Sequence, residues 1–121
     1  MPENSLSVKE TDGILIVGFG DITVLDSSSV QNISRRLLEL PDRHDQCRMV
    51  LDFDEVTMIT SQVLGILITL HKKCNETDGR FIIAGLQPRL RKIFHITRLE
   101  RILEFADNTE TALARLRDHS G

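Results

Sequence analysis

The alternation of apolar and polar positions divides the chain into short strands and amphipathic helices. Residues 49–53 form an apolar run with one acid, which is typical of a strand buried on at least one face. From Val63 onward, apolar positions recur at steps of three and four residues, the period of a helix. Thr60 and Ser61 lie between these runs, where a hydroxyl caps a helix. The segment 49–74 is therefore predicted to be a strand, a polar turn and a helix.

The same two periods predict the elements before and after this segment. Asp12 and Gly13 separate two strand-like runs, and this pair favours a hairpin because both residues tolerate positive φ. An apolar stripe after the serines at 27–29 predicts an amphipathic helix that ends before Pro41. Gly79 is expected to adopt a positive φ near the end of the central helix.

Later elements complete an alternation of strands and helices. They are a strand over 81–85, a helix that begins at Pro88, an apolar segment over 99–105 typical of a short edge strand, and a helix over 110–117 capped by Asn108 or Thr109. This order predicts the α/β class, with a mixed, mostly parallel sheet of four to five strands, about four helices and a leading β-hairpin. One domain over residues 5–117 is expected, with flexible termini at 1–4 and 118–121.

Composition narrows the classes of function. Among 121 residues, 40% are hydrophobic and 27% charged, as in globular domains, and the net charge of −3 disfavours a nucleic-acid partner. The chain lacks an apolar run of about 18 residues and begins without the apolar region of a signal peptide, so we expect a cytoplasmic protein with no membrane association. Cys47 and Cys74 lack metal-ligand spacing, and Cys74 falls on an apolar helical stripe, which predicts a reduced core thiol.

The candidate catalytic and cofactor motifs are incomplete. The segment 60–63 lacks the small residues of a nucleophile elbow, and the four histidines are too widely spaced to predict a metal site. Gly18 and Gly20 lack the third glycine of a dinucleotide fingerprint. We therefore expect no enzyme activity, no cofactor and no metal site. Acids at 52, 54 and 55 leave one alternative open, a small-ligand or nucleotide sensor at the end of the central strand.

The hydroxyls of the central turn support two interpretations. A serine or threonine at a helix N-terminus can be an N-cap that contributes about 1 kcal/mol. It can also be a phosphoacceptor, because the unpaired amides and the helix dipole accommodate an arriving phosphate. Ser61 and Thr60 are both candidates.

A family resemblance favours the regulatory interpretation. The run LDFDEVTMITSQVLGILITLHKKC, followed by GRFIIAGLQPRLRKIFHITRLERIL, resembles the STAS domain of anti-sigma factor antagonists from about Leu6 to Leu116. Leu64 and Gly65 match the Leu-Gly of the family's Asp-Ser-Ser-Gly-Leu-Gly motif, and the segment 96–99 matches its later Thr-x-Leu segment.

The resemblance implies a non-catalytic interaction module that works by partner switching. In the family, the unmodified antagonist binds a serine kinase that is also the anti-sigma factor, and phosphorylation at the turn breaks that complex. On this alignment Thr60 replaces the usual Asp, Ser61 holds the first hydroxyl position, Gln62 the second and Val63 the glycine position. The second hydroxyl is the usual acceptor, and the amide of Gln62 cannot be phosphorylated. Two alternatives follow: Gln62 leaves the domain fixed in one signalling state, or Ser61 or Thr60 accepts the phosphate in a shifted register.

The predicted partner surface lies at one edge of the sheet. We expect it to contain Thr60, Ser61, Gln62, Val63, Asp21, Ile22, Thr23, Asp54 and Thr57. Val63 is expected to be an exposed apolar contact residue, whereas Leu64 and Leu67 are predicted to lie in the core. A serine-kinase anti-sigma factor or related kinase-like protein is the expected partner, and the chain itself is expected to be a monomer or weak dimer. A scaffold subunit of a larger signalling assembly is a further alternative.

Overall fold

The protein is described here by a computed structural model that covers residues 6–19, 24–25 and 27–118. The strands are β1 (Ser7–Thr11), β2 (Ile14–Gly18), β3 (Val24–Leu25), β4 (Arg48–Asp52), β5 (Met58–Ile59), β6 (Arg80–Ala84) and β7 (Glu104–Ala106). The helices are α1 (Ser27–Arg43), α2 (Ser61–Glu76), α3 (Pro88–Ile96) and α4 (Thr109–Asp118), with a 3₁₀ turn at Leu99–Arg101. Of the predicted flexible termini, 1–4 and 118–121, residues 1–4 and 119–121 lie outside the described residues, whereas Asp118 ends α4.

The main sheet has five strands in the order β1-β2-β4-β6-β7. β1 is antiparallel to β2, and every other neighbouring pair is parallel. The predicted α/β class, mixed sheet, leading hairpin and four helices are therefore confirmed. A separate parallel pair, β3 and β5, was not predicted; it precedes α1 and α2 and links the starts of these two helices.

Alternating side chains of the sheet form two hydrophobic layers. Along β4, Met49 and Leu51 pack in the larger layer with residues of α1, α2 and α3. Val50 points the opposite way and packs with Ala112 and Leu116 of α4. Three helices therefore cover one face of the sheet and the fourth covers the other face. The packed core fixes the positions of their N-terminal ends.

Two predicted local signals are confirmed. Asp12 and Gly13 have φ values of 55° and 79°, and the register pairs Thr11 with Ile14, so these two residues form the hairpin turn. Asn108 caps α4, since its side-chain Oδ1 accepts a hydrogen bond from the Thr111 N–H at 2.8 Å. The segment 99–105 divides into the 3₁₀ turn and the beginning of β7, which is an edge strand as expected.

Two predictions about helix ends are wrong. The first helix does not stop before Pro41, because α1 continues to Arg43 with the proline buried in its last turn. A proline so close to the end interrupts the helix at its last residues only, which limits the cost. At the end of α2, the left-handed backbone belongs to Asp78 with φ 59° rather than to Gly79. Gly79 is required for a different reason, a close approach to the backbone of Cys47.

The two thiols lie in the core, as predicted for Cys74. Both Cys47 and Cys74 are buried and free. Burial raises the pKa of the Cys47 thiol to about 11 and that of Cys74 to about 12, the latter helped by the neighbouring Cys47.

This burial predicts a pH dependence of stability. The thiol pKa values in the folded state lie above the ordinary value of 9.0, so the folded chain holds these protons more tightly than the unfolded chain. Their contribution to stability is complete below about pH 9 and is lost as the pH rises towards 11 and 12. Urea unfolding across this range should show a smaller fall in stability for Cys74→Ala than for the native protein. Equal slopes would contradict the prediction.

Candidate functional site

The candidate site is the connection between β4 and α2. Hydrogen bonds hold this connection against the core: the Phe53 N–H donates to the Ala84 carbonyl at 2.9 Å, and the Val56 N–H donates to the Phe53 carbonyl at 3.0 Å. β5 then pairs with β3 and places Thr60 immediately before α2. The turn is therefore fixed by backbone contacts on both sides.

Thr60 occupies the N-cap position but does not cap the helix with its side chain. Its backbone is extended, with φ −101° and ψ 167°, and its carbonyl accepts the first helical bond from the Val63 N–H at 3.0 Å. The Thr60 Oγ1 is buried and has no hydrogen-bond partner among the described residues. The sequence thus predicted the cap position correctly, whereas the predicted hydroxyl cap does not form.

The first residues of α2 divide between core and surface. Val63 is only 5% exposed, so the prediction of an exposed contact residue is wrong. It shares the core-facing side of α2 with Leu67, Leu70 and Cys74. Leu67 is buried as predicted, and Leu64 is partly buried against the same core. The sequence could not fix the helix phase, because Val63 and Leu64 are adjacent and equally apolar.

Four residues of the segment 58–65 are exposed at this helix start. Ser61, Gln62 and Gly65 are exposed on α2, and Met58 is 53% exposed one residue before the buried Ile59. We call these four residues the turn face. A Cβ placed on Gly65 would meet nothing within 4 Å, so the glycine leaves bare backbone beside Ser61 one helical turn away.

Met58 is the member of the turn face that sequence reasoning missed. The exposure of Met58 follows from the alternation of side chains along β5, because Ile59 is buried and its neighbour must point the other way. Two residues are too few for that alternation to be visible in the sequence. A large exposed apolar side chain next to a polar helix start is typical of a contact residue in a protein interface.

The structure describes only some of the other predicted partner residues. Asp54 and Thr57 are exposed in the connection between β4 and β5, at the same edge of the sheet as the turn face. Asp21, Ile22 and Thr23 lie outside the described residues.

The acids at the end of β4 do not assemble a metal site. Asp52, Asp54 and Asp107 line a cleft with Asn108 and Thr109, and the Asp54 N–H donates to the Asp52 Oδ1 at 3.0 Å. Within residues 6–19, 24–25 and 27–118, no three His, Cys, Asp or Glu side chains are grouped as metal ligands. Three carboxylates beside one cleft also repel a phosphate, so this cleft gives no support to a nucleotide sensor.

No helix in the described part of the chain combines the length and apolar character that crossing a membrane requires.

Comparison with known proteins identifies this architecture. The STAS domain family matches residues 5–112. A Bordetella bronchiseptica protein described as an anti-sigma factor antagonist, BtrV, is 26% identical over 109 residues, covering 90% of this chain and 91% of that protein.

Solved structures show the same fold. An anti-sigma-factor antagonist (STAS) domain protein of Planctomyces limnophilus superposes with a TM-score of 0.81 at 17% identity, covering 90% of this chain and 96% of the other. The Bacillus cell fate determinant SpoIIAA, in its phosphorylated form, superposes with a TM-score of 0.68 at 18% identity, covering 92% and 98%. Since the family match spans nearly the whole chain and the sheet agrees with these structures, the chain belongs to the STAS domain family and is similar to anti-sigma factor antagonists.

Proposed function

We propose that the protein is a non-catalytic anti-sigma factor antagonist that binds a serine-kinase anti-sigma factor through the turn face. The observation that carries the proposal is the exposure of Ser61, Gln62 and Gly65 at the start of α2, beside the exposed Met58. Polar groups around an apolar side chain, all on a rigid helix and strand, suit a protein partner. Similarity to an anti-sigma factor antagonist supports the class of partner.

The two acceptor candidates are unequal in access. The Ser61 side chain is exposed, whereas the Thr60 Oγ1 is buried. A kinase must bring the γ-phosphate of ATP within bonding distance of the hydroxyl oxygen, and only the Ser61 hydroxyl is open to that approach. We therefore assign Ser61 as the acceptor. It lies one residue before the family's usual acceptor position, which Gln62 occupies in this chain.

Phosphorylation of Ser61 would act as an off switch. A phosphate at the first residue of α2 is compatible with the fold, because the free amides and the dipole of the helix start favour an anion. The same group adds a charge of about −1.5 to −2 to the partner surface. Burying that charge against the kinase costs desolvation, so the complex dissociates while the domain stays folded. The phosphorylated form of a protein with this fold, SpoIIAA, is consistent with such a switch.

Phosphate mapping tests this assignment. The protein is incubated with ATP and each candidate serine kinase from the same genome, and modified sites are located by mass spectrometry. We expect phosphate on Ser61, absent from Ser61→Ala and retained in Thr60→Val, which removes the buried hydroxyl at nearly constant volume. Phosphate on Thr60, or on residues outside the turn, would contradict the assignment. Binding to a kinase without any modification would overturn the switch while leaving the binding function intact.

A further inference from the structure

A second surface, formed by α3 and the 3₁₀ turn, has a charge opposite to that of the whole molecule. The net charge of the chain is −3, yet the segment 88–101 contains five of its 15 Lys and Arg residues and one of its 18 Asp and Glu residues. Four of these cations, together with two isoleucines, define what we call the basic edge: Arg89, Lys92, Arg98, Arg101, Ile96 and Ile102. All six residues are exposed.

The cations of the basic edge are not neutralised within the described structure. Some basic side chains elsewhere pair with acids, as Arg80 does with Glu104, Lys73 with Asp42 and Arg117 with Asp12. By contrast, no carboxylate of residues 6–19, 24–25 or 27–118 forms an ion pair with any of the four cations.

The one acid of this segment contacts a histidine of the same segment. Glu100, the only acid of the segment, contacts the His95 Nδ1 at 2.5 Å. The fifth cation, Arg91, lies over the Phe105 ring, 4.5 Å from its centroid. The cations of the segment 88–101 outnumber this single carboxylate, so the segment is net positive.

Apolar side chains accompany this charge. Ile96 is 70% exposed and Ile102 is 48% exposed, at the two ends of the reversal between α3 and β7. Between them, Arg98 and Arg101 line a shallow depression of about 260 Å³ with His95 and Glu100. Guanidinium groups around a depression, flanked by aliphatic contacts, match carboxylates that alternate with apolar side chains.

Arg98 lies at the reversal after α3 with a left-handed backbone. Arg98 has φ 63° and ψ 17°, a left-handed conformation that glycine adopts freely and that arginine rarely does. The long side chain makes no hydrogen bond or ion pair with the described residues that would compensate for this conformation. The guanidinium of Arg98 is therefore exposed and open to a carboxylate of a partner.

The topology separates residues 96–102 of the basic edge from the turn face. α2 begins at the edge of the sheet where β4 ends, and α3 runs from the end of β6 back towards the start of β7. The reversal at residues 96–102 thus lies at the opposite edge of the sheet from the turn face. Arg98, Arg101, Ile96 and Ile102 therefore lie at the edge away from the turn face, whereas Arg89 begins α3 at the same edge as the turn face.

We propose that the basic edge binds an acidic, leucine-rich segment of a second protein, with carboxylates on Arg98 and Arg101 and aliphatic side chains on Ile96 and Ile102. A membrane surface fits less well, because the apolar side of α3, Leu90 and Phe94, is buried in the core and cannot insert among lipids. This inference does not rest on the function proposed for the turn face.

The test uses a short fluorescein-labelled peptide of alternating glutamate and leucine, with lysine in place of glutamate in the control peptide. Fluorescence anisotropy at low salt should show saturable binding of the acidic peptide only. Arg98→Gln with Arg101→Gln should weaken it by about tenfold or more. The matched variant, Lys9→Gln with Arg35→Gln, removes the same charge from two exposed residues elsewhere and should change the affinity by less than about twofold.

Several results would overturn the proposal. They are no binding of the acidic peptide at low salt, equal weakening by the two double variants, or binding of anionic phosphatidylglycerol vesicles in place of the peptide. Gln62→Asp provides a separate control, since a lesion in the turn face should leave peptide binding unchanged. Failure of the peptide test with intact kinase binding would therefore remove the basic edge and retain the proposed function.

Discussion

Replacing Gln62 by aspartate is expected to weaken binding to the proposed partner, a serine-kinase anti-sigma factor, by about tenfold or more without destabilising the domain. Gln62 is exposed in the first turn of α2 and lies next to Ser61. A carboxylate there must lose its hydration when the partner binds, and it places a negative charge where a phosphate would arrive. The fold tolerates the change, because an acid in the first turn is favourable to the helix dipole.

Isothermal titration of the native protein and the Gln62→Asp variant with the partner measures the loss of affinity. The melting temperatures of the two proteins measure stability separately. Asn75→Asp is the matched control, since it makes the same amide-to-carboxylate change at an exposed residue near the other end of α2. We expect that control to bind with nearly native affinity. An unchanged affinity for Gln62→Asp, or an equal loss in both variants, would remove the turn face from the interface.

Gly79→Ala should destabilise the protein by about 3 kcal/mol or more. A Cβ on Gly79 would lie 2.5 Å from the carbonyl oxygen of Cys47 and 3.0 Å from its backbone nitrogen. These are backbone atoms at the entry to β4, where the Arg80 N–H donates to the same carbonyl at 2.8 Å. No side-chain rotation relieves that contact, so the start of β4 or β6 must shift.

Gly65→Ala is the internal comparison for this prediction. Its Cβ would meet nothing within 4 Å, and alanine is favoured over glycine inside a helix by about 1 kcal/mol. Urea unfolding should therefore show opposite signs for the same substitution at the two positions. A Gly79→Ala variant within about 0.5 kcal/mol of the native protein would contradict the close approach.

Much of the fold follows from local patterns in the sequence. The hairpin at Asp12 and Gly13 was predictable because a two-residue turn requires two positive φ values. The helices and the longer strands were predictable because their apolar periods extend over several residues. β3 and β5 were not, since two residues do not establish a period. Gly79 illustrates a second limit, because its requirement comes from Cys47, a contact between residues distant in sequence.

The site was predictable in location and less so in detail. Its position between a buried strand and an amphipathic helix follows from the change of period near Ser61. Which side chains face outward depends on the helix phase, and Val63 shows that one residue of error moves a side chain from surface to core. The sequence also could not show that the Thr60 hydroxyl is buried without a hydrogen-bond partner among the described residues, because the rotamer and its surroundings decide whether a cap forms.

The exposure of the two isoleucines of the basic edge was not predictable from the sequence. Ile96 and Ile102 continue apolar patterns whose other members, Phe94 and Leu103, are buried. Composition alone assigns all four to the core. Ile96 is the last residue of α3 and Ile102 follows the 3₁₀ turn, and at these two ends both side chains are exposed.

Hydrogen–deuterium exchange of the protein alone and in complex with the proposed partner, a serine-kinase anti-sigma factor, tests the central claim most directly. The first amides of a helix lack intrahelical acceptors, so those of Ser61 and Gln62 should exchange rapidly in the free protein. The account predicts that the complex slows exchange in the segment from Met58 to Thr69 and leaves residues 96–102 unchanged. A complex in which that segment exchanges as fast as in the free protein would contradict it.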